Sequence, residues 1–240
     1  PVYGLQARGI SGGHEPHETF EEMARDYLAE VRTVQPHGPY LLGGFSGGGL
    51  VAYKMAQQLR AEGEEAALVV MLDTPIPEIV PLSVPDLIAM KMQDLRKEGI
   101  AFFGNWLRRR VAWERRRIQA RRPLAPKSAE QFHNEEIEAA FRRALARFRP
   151  EPYDGAVLML RPKLDVAYRL SRGRNLNSQR DLLRPDNGWS PYVANLAIHE
   201  VPGTHDSMVL EPEVRVLASH LRAELSRADQ SKMLRPIAAE

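Results

Sequence analysis

Gly44-Phe45-Ser46-Gly47-Gly48 is the run of this chain best suited to chemistry. A serine between small residues in a G-x-S-x-G pattern can sit on a tight strand-to-helix turn with its hydroxyl exposed. From there it can attack a carbonyl carbon, provided that a base takes its proton and a carboxylate orients the base. Gly47 would open the following helix, so its backbone N–H is the natural first oxyanion donor. A glycine-rich turn can also cradle phosphate or simply permit close packing, but this one lacks the lysine of a phosphate loop.

Asp73 lies 27 positions beyond the serine, room for one helix and one strand. It follows the apolar run Ala66 to Leu72, at the carboxyl end of a strand, where α/β sites assemble. Its other reading is a loop cap acting through Thr74. His205 stands in Val201-Pro202-Gly203-Thr204-His205, just after the last apolar run. Of the seven histidines it combines strand-end placement, a nearby glycine and the chain order Ser, Asp, His. His199 is the competitor, although it lies within the strand itself. Asp206 is adjacent and is expected to shape the loop. With no cysteine in the chain, a thiolate nucleophile, thiolate metal ligands and disulfides are all excluded, and no metal is expected.

The elements that must position these groups follow from hydrophobic periodicity. Pro1 to Leu5 reads as a short strand, and Phe20 to Val34 as a helix with Phe20, Met23, Tyr27, Leu28 and Val31 at helical spacing. Tyr40 to Phe45 is a strand, Leu50 to Leu59 lies in a helix that Gly63 breaks, and Ala66 to Leu72 is a nearly continuous apolar strand. Such strands alternating with amphipathic helices indicate a mostly parallel sheet covered on both faces. Prolines 75, 77, 81 and 85 then open a stretch of helical pattern that ends at Pro150 and Pro152. Strand signals resume at Ala156 to Leu160 and His199 to Val201, followed by a helix from Val214 to Leu225. The expected division is a core of residues 1–75 and 153–227, a helical lid insertion at 76–152 and a tail at 228–240. At 240 residues, 43% apolar and 27% charged, the chain has the composition of one folded α/β domain. A net charge of +2 gives no bulk case for nucleic acid, and no apolar run is long enough for a membrane span. A cytoplasmic location is the expectation.

Five segments in order resemble the thioesterase domains that end polyketide and nonribosomal peptide synthases, relatives of the fatty acid synthase thioesterase. They are Val2-Tyr3-Gly4-Leu5-Gln6-Ala7-Arg8-Gly9, Gly44-Phe45-Ser46-Gly47-Gly48, Leu72-Asp73-Thr74-Pro75, Gly188-Trp189 and Val201-Pro202-Gly203-Thr204-His205. The resemblance implies an α/β-hydrolase fold and a Ser46–His205–Asp73 triad, with Phe45, Thr74 and Pro75 near the substrate. It also implies an acyl or peptidyl chain delivered on the 4′-phosphopantetheine of a carrier protein or domain within a multidomain synthase, and no cofactor of the chain's own. Hydrolysis and cyclisation both fit, since they differ only in the nucleophile that releases the chain. The family has a further strand and a small-residue loop upstream of the Tyr-Gly-Leu-Gln run, supplying a second oxyanion N–H. By that resemblance the chain is expected to be an N-terminally incomplete piece of a longer polypeptide. Two other readings stand beside this one: an esterase or lipase acting on free esters, and a silent hydrolase-fold module that only binds a partner.

Between Arg96 and Arg122 there are ten Lys or Arg against two Glu. Arg108, Arg109, Arg115 and Arg116 point away from the Phe103, Leu107, Val111 and Ile118 face of the expected helix. They read either as a solvated surface or as a docking site for an acidic carrier or its phosphopantetheine phosphate.

Overall fold

The structure, a computed structural model, describes residues 1–10, 13–78, 81–99, 104, 110, 129–178 and 180–233. In chain order the elements are α1 (Phe20–Val34), β1 (Tyr40–Phe45), α2 (Gly47–Ala61), β2 (Ala66–Leu72), α3 (Val84–Glu98), α4 (Ala129–Arg147), β3 (Tyr153–Pro162), β4 (Tyr168–Arg169), β5 (Asn175–Leu176), β6 (Leu182–Leu183), β7 (Val193–Val201) and α5 (Val214–Met233). They group into two compact units, one of residues 1–77, 136–163 and 185–240, the other of 78–135 and 164–184.

The larger unit is built on a parallel sheet of order β1-β2-β3-β7. Alternate residues of each strand point to opposite faces; both faces are covered at β2 and β3, whereas Leu41 and Phe45 of β1 are exposed. Val69, Met71, Val157 and Met159 meet α1 and α2 through Phe20, Leu28, Tyr53 and Leu59. Ala144 and Phe148 at the end of α4 join the same cluster. Leu68, Val70, Leu158 and Leu160 face the other way, onto Val201, Met208 and Leu217 of β7, the following loop and α5. The period-two run of β-branched and long aliphatic residues is thus a double-sided core. Thr19 caps α1 by accepting from the Glu22 N–H at 3.2 Å, and Glu22 accepts in turn from the Glu18 N–H at 3.0 Å.

In the smaller unit, Ser83 and Asp86 form a capping box that starts α3, with Pro85 in its first turn. The two-residue strands β4, β5 and β6 form an antiparallel sheet. Leu170 and Leu176 bury themselves against Met90 of α3.

Four expectations are corrected. Pro1 to Leu5 is not a strand, and Val2 is 98% exposed, because an apolar alternation without a pairing partner does not make a ladder. Residues 136–152 group with the core rather than the insertion, since Ala144 and Phe148 pack into it. Residues 164–184, expected in the core, group with α3 through Leu170 and Leu176. Helix α5 runs on to Met233, past the expected start of the tail at 228.

Candidate active site

The parallel register brings Phe45 level with Leu72, so β1 and β2 end together. The Ser46 N–H donates to the Leu72 carbonyl at 2.8 Å, and the Asp73 N–H donates to Leu160 at 2.8 Å. Each residue therefore steps off the last rung of its strand pair at the same rim of the sheet. Ser46 turns the chain with φ 52° and ψ −121° and is the N-cap of α2, yet its side chain makes no cap hydrogen bond. A serine in this position ordinarily spends its oxygen on the helix. Here the hydroxyl is held apart from that duty.

Glycine is needed in the elbow at 44, 47 and 49, the Cβ at Gly47 being the one that would stand 2.1 Å from the Phe141 ring. A Cβ on Gly44 would stand 2.1 Å from the Gly48 carbonyl carbon, and one on Gly49 would stand 2.0 Å from Thr74 Oγ1. Gly47 is the first residue of α2, among the four whose N–H groups have no partner within a helix.

Beyond β7 the chain turns at Gly203, where φ is 97°. Thr204 and Ser207 then brace one another: the Thr204 N–H donates to Ser207 Oγ at 2.8 Å, and the Ser207 N–H to Thr204 Oγ1 at 3.3 Å. Buried Met208 fastens this loop into the core. The loop presents His205, whose Nδ1 lies 2.8 Å from Asp73 Oδ2. With the proton on Nδ1, shared with the carboxylate, Nε2 is left as an acceptor. The Phe45 ring stacks on the imidazole at 4.7 Å and 27°. The histidine side chain is 42% exposed and the aspartate 17% exposed.

The second oxygen of the carboxylate is also held, by a residue that sequence reasoning missed. Asn187 Nδ2 donates to Asp73 Oδ1 at 2.9 Å. No spacing rule links positions 114 apart; the Asp186-Asn187-Gly188 run signals a turn but not its target.

Sequence-predicted residues are thus placed as follows. Asp73 and His205 are in contact, and Phe45, the residue before Ser46, touches His205. His199 instead faces Glu224 Oε1 at 3.2 Å and stacks on His220, so its partners are on α5. Asp206 is exposed. Pro75 is exposed, but Thr74 is fully buried and cannot meet a substrate. Its hydroxyl donates to the Ser46 carbonyl at 2.9 Å, and its own carbonyl accepts from Trp189 Nε1 at 2.7 Å. The expectation for Thr74 is corrected: it clamps the elbow from behind. Arg108, Arg109, Arg115 and Arg116 lie outside the described residues. Among the described residues no group of His, Cys, Asp or Glu could hold a metal ion, and no helix is long and apolar enough to cross a membrane.

A mostly parallel sheet packed by helices on both faces, with a serine at a positive-φ strand-to-helix turn and an Asp–His pair at the same rim, defines an α/β-hydrolase fold. Residues 1–225 match the thioesterase domain family, and the chain belongs to it. Malpinin synthetase of Mortierella alpina is 31% identical over 233 residues, covering 92% of this chain. The chain spans only 2% of that synthetase's length. The NocB thioesterase domain, solved in covalent complex with a fluorophosphonate nocardicin G analog, is similar with a TM-score of 0.60 and 26% identity, over 92% of this chain and 81% of that one. A four-domain nonribosomal peptide synthetase bound to AMP and glycine is similar with a TM-score of 0.57 and 26% identity, over 97% of this chain and 17% of that one.

Proposed function

We propose that this chain releases an acyl or peptidyl chain from a carrier-bound thioester through a covalent ester on Ser46. The observation that carries the reading is the 2.8 Å contact of His205 Nδ1 with Asp73 at the rim where Ser46 leaves its strand. Ser46 Oγ attacks the thioester carbonyl while its proton passes to His205 Nε2. Asp73 stabilises the imidazolium that forms, and the Gly47 N–H at the start of α2 donates to the developing oxyanion. Collapse of the tetrahedral adduct breaks the carbon–sulfur bond, and the imidazolium returns its proton to the departing thiolate. Water, or a hydroxyl or amine of the bound chain, then attacks the ester with His205 again as base, freeing Ser46.

The thiol in this reading belongs to the phosphopantetheine of a carrier domain. Family membership and the likeness to multidomain peptide synthetases support that partner. The test is labelling of Ser46 by a fluorophosphonate, read by intact mass. Adduct formation that disappears in Ser46→Ala and falls by about 10³-fold or more in His205→Ala is expected. Absence of any adduct on the unaltered chain would favour a silent binding module. Faster turnover of aryl esters than of acyl thioesters would favour an esterase.

A further inference from the structure

Asp186, Asn187, Gly188 and Trp189 form one of the most heavily tied turns of the larger unit. Asp186 folds its carboxylate back on the turn, accepting from the Gly188 N–H and the Ser190 N–H, each at 3.0 Å. Partial burial works to raise its pKa, but hydrogen bonding, first from the Ser190 side chain and then from the Gly188 and Ser190 N–H groups, outweighs it and keeps the carboxyl below its ordinary value. Trp189 is fully buried, packs on Tyr53 and donates to the Thr74 carbonyl. The Asn187 carbonyl accepts from the Ile76 N–H at 3.0 Å, stitching the turn to the chain just past Asp73. Arg161, itself buried, donates to the Pro185 carbonyl at 2.8 Å. The product of all this bracing is one residue in the left-handed region, Asn187 at φ 50°, with its side-chain amide on Asp73 Oδ1.

A carboxylate free to rotate about its last bond can offer either oxygen to the imidazole, or neither squarely. Asp73 itself has φ 42°, so its own backbone lies in a sparsely populated region. A second, rigidly mounted donor removes the rotation and leaves Oδ2 for His205. Because the donor is a neutral amide, it orients the carboxylate without cancelling its charge, as a lysine or arginine there would. Loss of the amide would strip Oδ1 of its partner and increase the negative potential felt by the imidazolium.

We infer that Asn187 is a positioning residue for the triad, fixing the Asp73 carboxylate so that His205 is held in the orientation and basicity the reaction needs. The inference rests on the serine-triad reading above. Glycine and aspartate both tolerate positive φ, so Asn187→Gly and Asn187→Asp keep the turn while removing the donor. The rate of fluorophosphonate labelling at Ser46, followed across pH, should fall by about ten- to a hundred-fold in Asn187→Gly. Its acid limb should move to higher pH, and further still in Asn187→Asp, where a second carboxylate faces Asp73. In an Asp73→Gly background, which keeps the local backbone but deletes the carboxylate, Asn187→Gly should change nothing more. An unaltered rate in Asn187→Gly, an unmoved limb, or an equal loss in both backgrounds would overturn the inference while leaving the triad intact. Labelling that is indifferent to Asp73→Gly would instead remove the triad reading, and this inference with it.

Discussion

The hydroxyl of Thr74 donates to the main-chain carbonyl of Ser46 at 2.9 Å, so the residue after the proposed triad acid holds the backbone of the proposed nucleophile. The two strand ends are thereby joined in a second way, beyond the bond from Ser46 N–H to Leu72. Since Thr74 is wholly buried, water cannot substitute for its hydroxyl.

Thr74→Val keeps the shape and removes the donor. It should destabilise the chain by about 1–3 kcal/mol, the range for a buried hydrogen bond lost on one side. Thermal melting would read this as a fall of roughly 2–4 °C per kcal/mol. Labelling of Ser46 should slow as well, because the elbow is no longer pinned.

Gly44 and Gly48 should part company under substitution by alanine. At 44 the new methyl meets backbone at 2.1 Å, which cannot give way without unmaking the turn. The cost should exceed about 4 kcal/mol, in the class of severe core overpacking. At 48 nothing lies within 4 Å, and the position is helical. Gly48→Ala should be neutral or stabilising by about 0.5–1 kcal/mol. Denaturant midpoints of the two variants would check the contrast.

Phe45→Leu should lower melting by only a few degrees, because Phe45 is 37% exposed, but slow Ser46 labelling several-fold. What is lost is the ring stack on His205 at 4.7 Å, an interaction of about 0.5–1.5 kcal/mol. Parallel measurement of melting and labelling would separate the two effects.

Asp86 gives the smaller unit a pH dependence with a definite sign. Hydrogen bonding from Ser83 is the main cause holding its carboxyl down at about 2, against the opposing effect of burial, with Arg174 at 2.6 Å assisting. A depressed folded value means stability that is present above the ordinary value of 3.8 and is lost as pH falls toward about 2. The melting difference between the unaltered chain and Asp86→Asn should therefore be at full size by about pH 5 and above, shrink as pH falls through 3.8, and vanish only below about 2.

Most of what positions the site is legible in the sequence. The strand at 66–72 and the helix after Ser46 show because their burial is nearly continuous, the strand at 40–45 shows because its apolar run leads straight into the serine motif, and the serine, aspartate and histidine stand at ends that periodicity locates. The short strands β4, β5 and β6 were not foreseen, since two residues carry no period and their partner Met90 is far away along the chain. The neighbours of Thr74 in sequence point to the substrate, whereas its burial depends on Gly49 and Trp189 folding over it. Asn187 escaped because its role is one long-range contact. Pro1 to Leu5 had the pattern of a strand without a neighbour to pair with.

The backbone at Ser46 sits where only a residue without a Cβ rests at ease, at a toll of about 1–3 kcal/mol. Endurance and reactivity therefore compete at a single α-carbon. Ser46→Gly, stripped of the hydroxyl on which the proposed reaction depends, should melt higher than the unaltered chain.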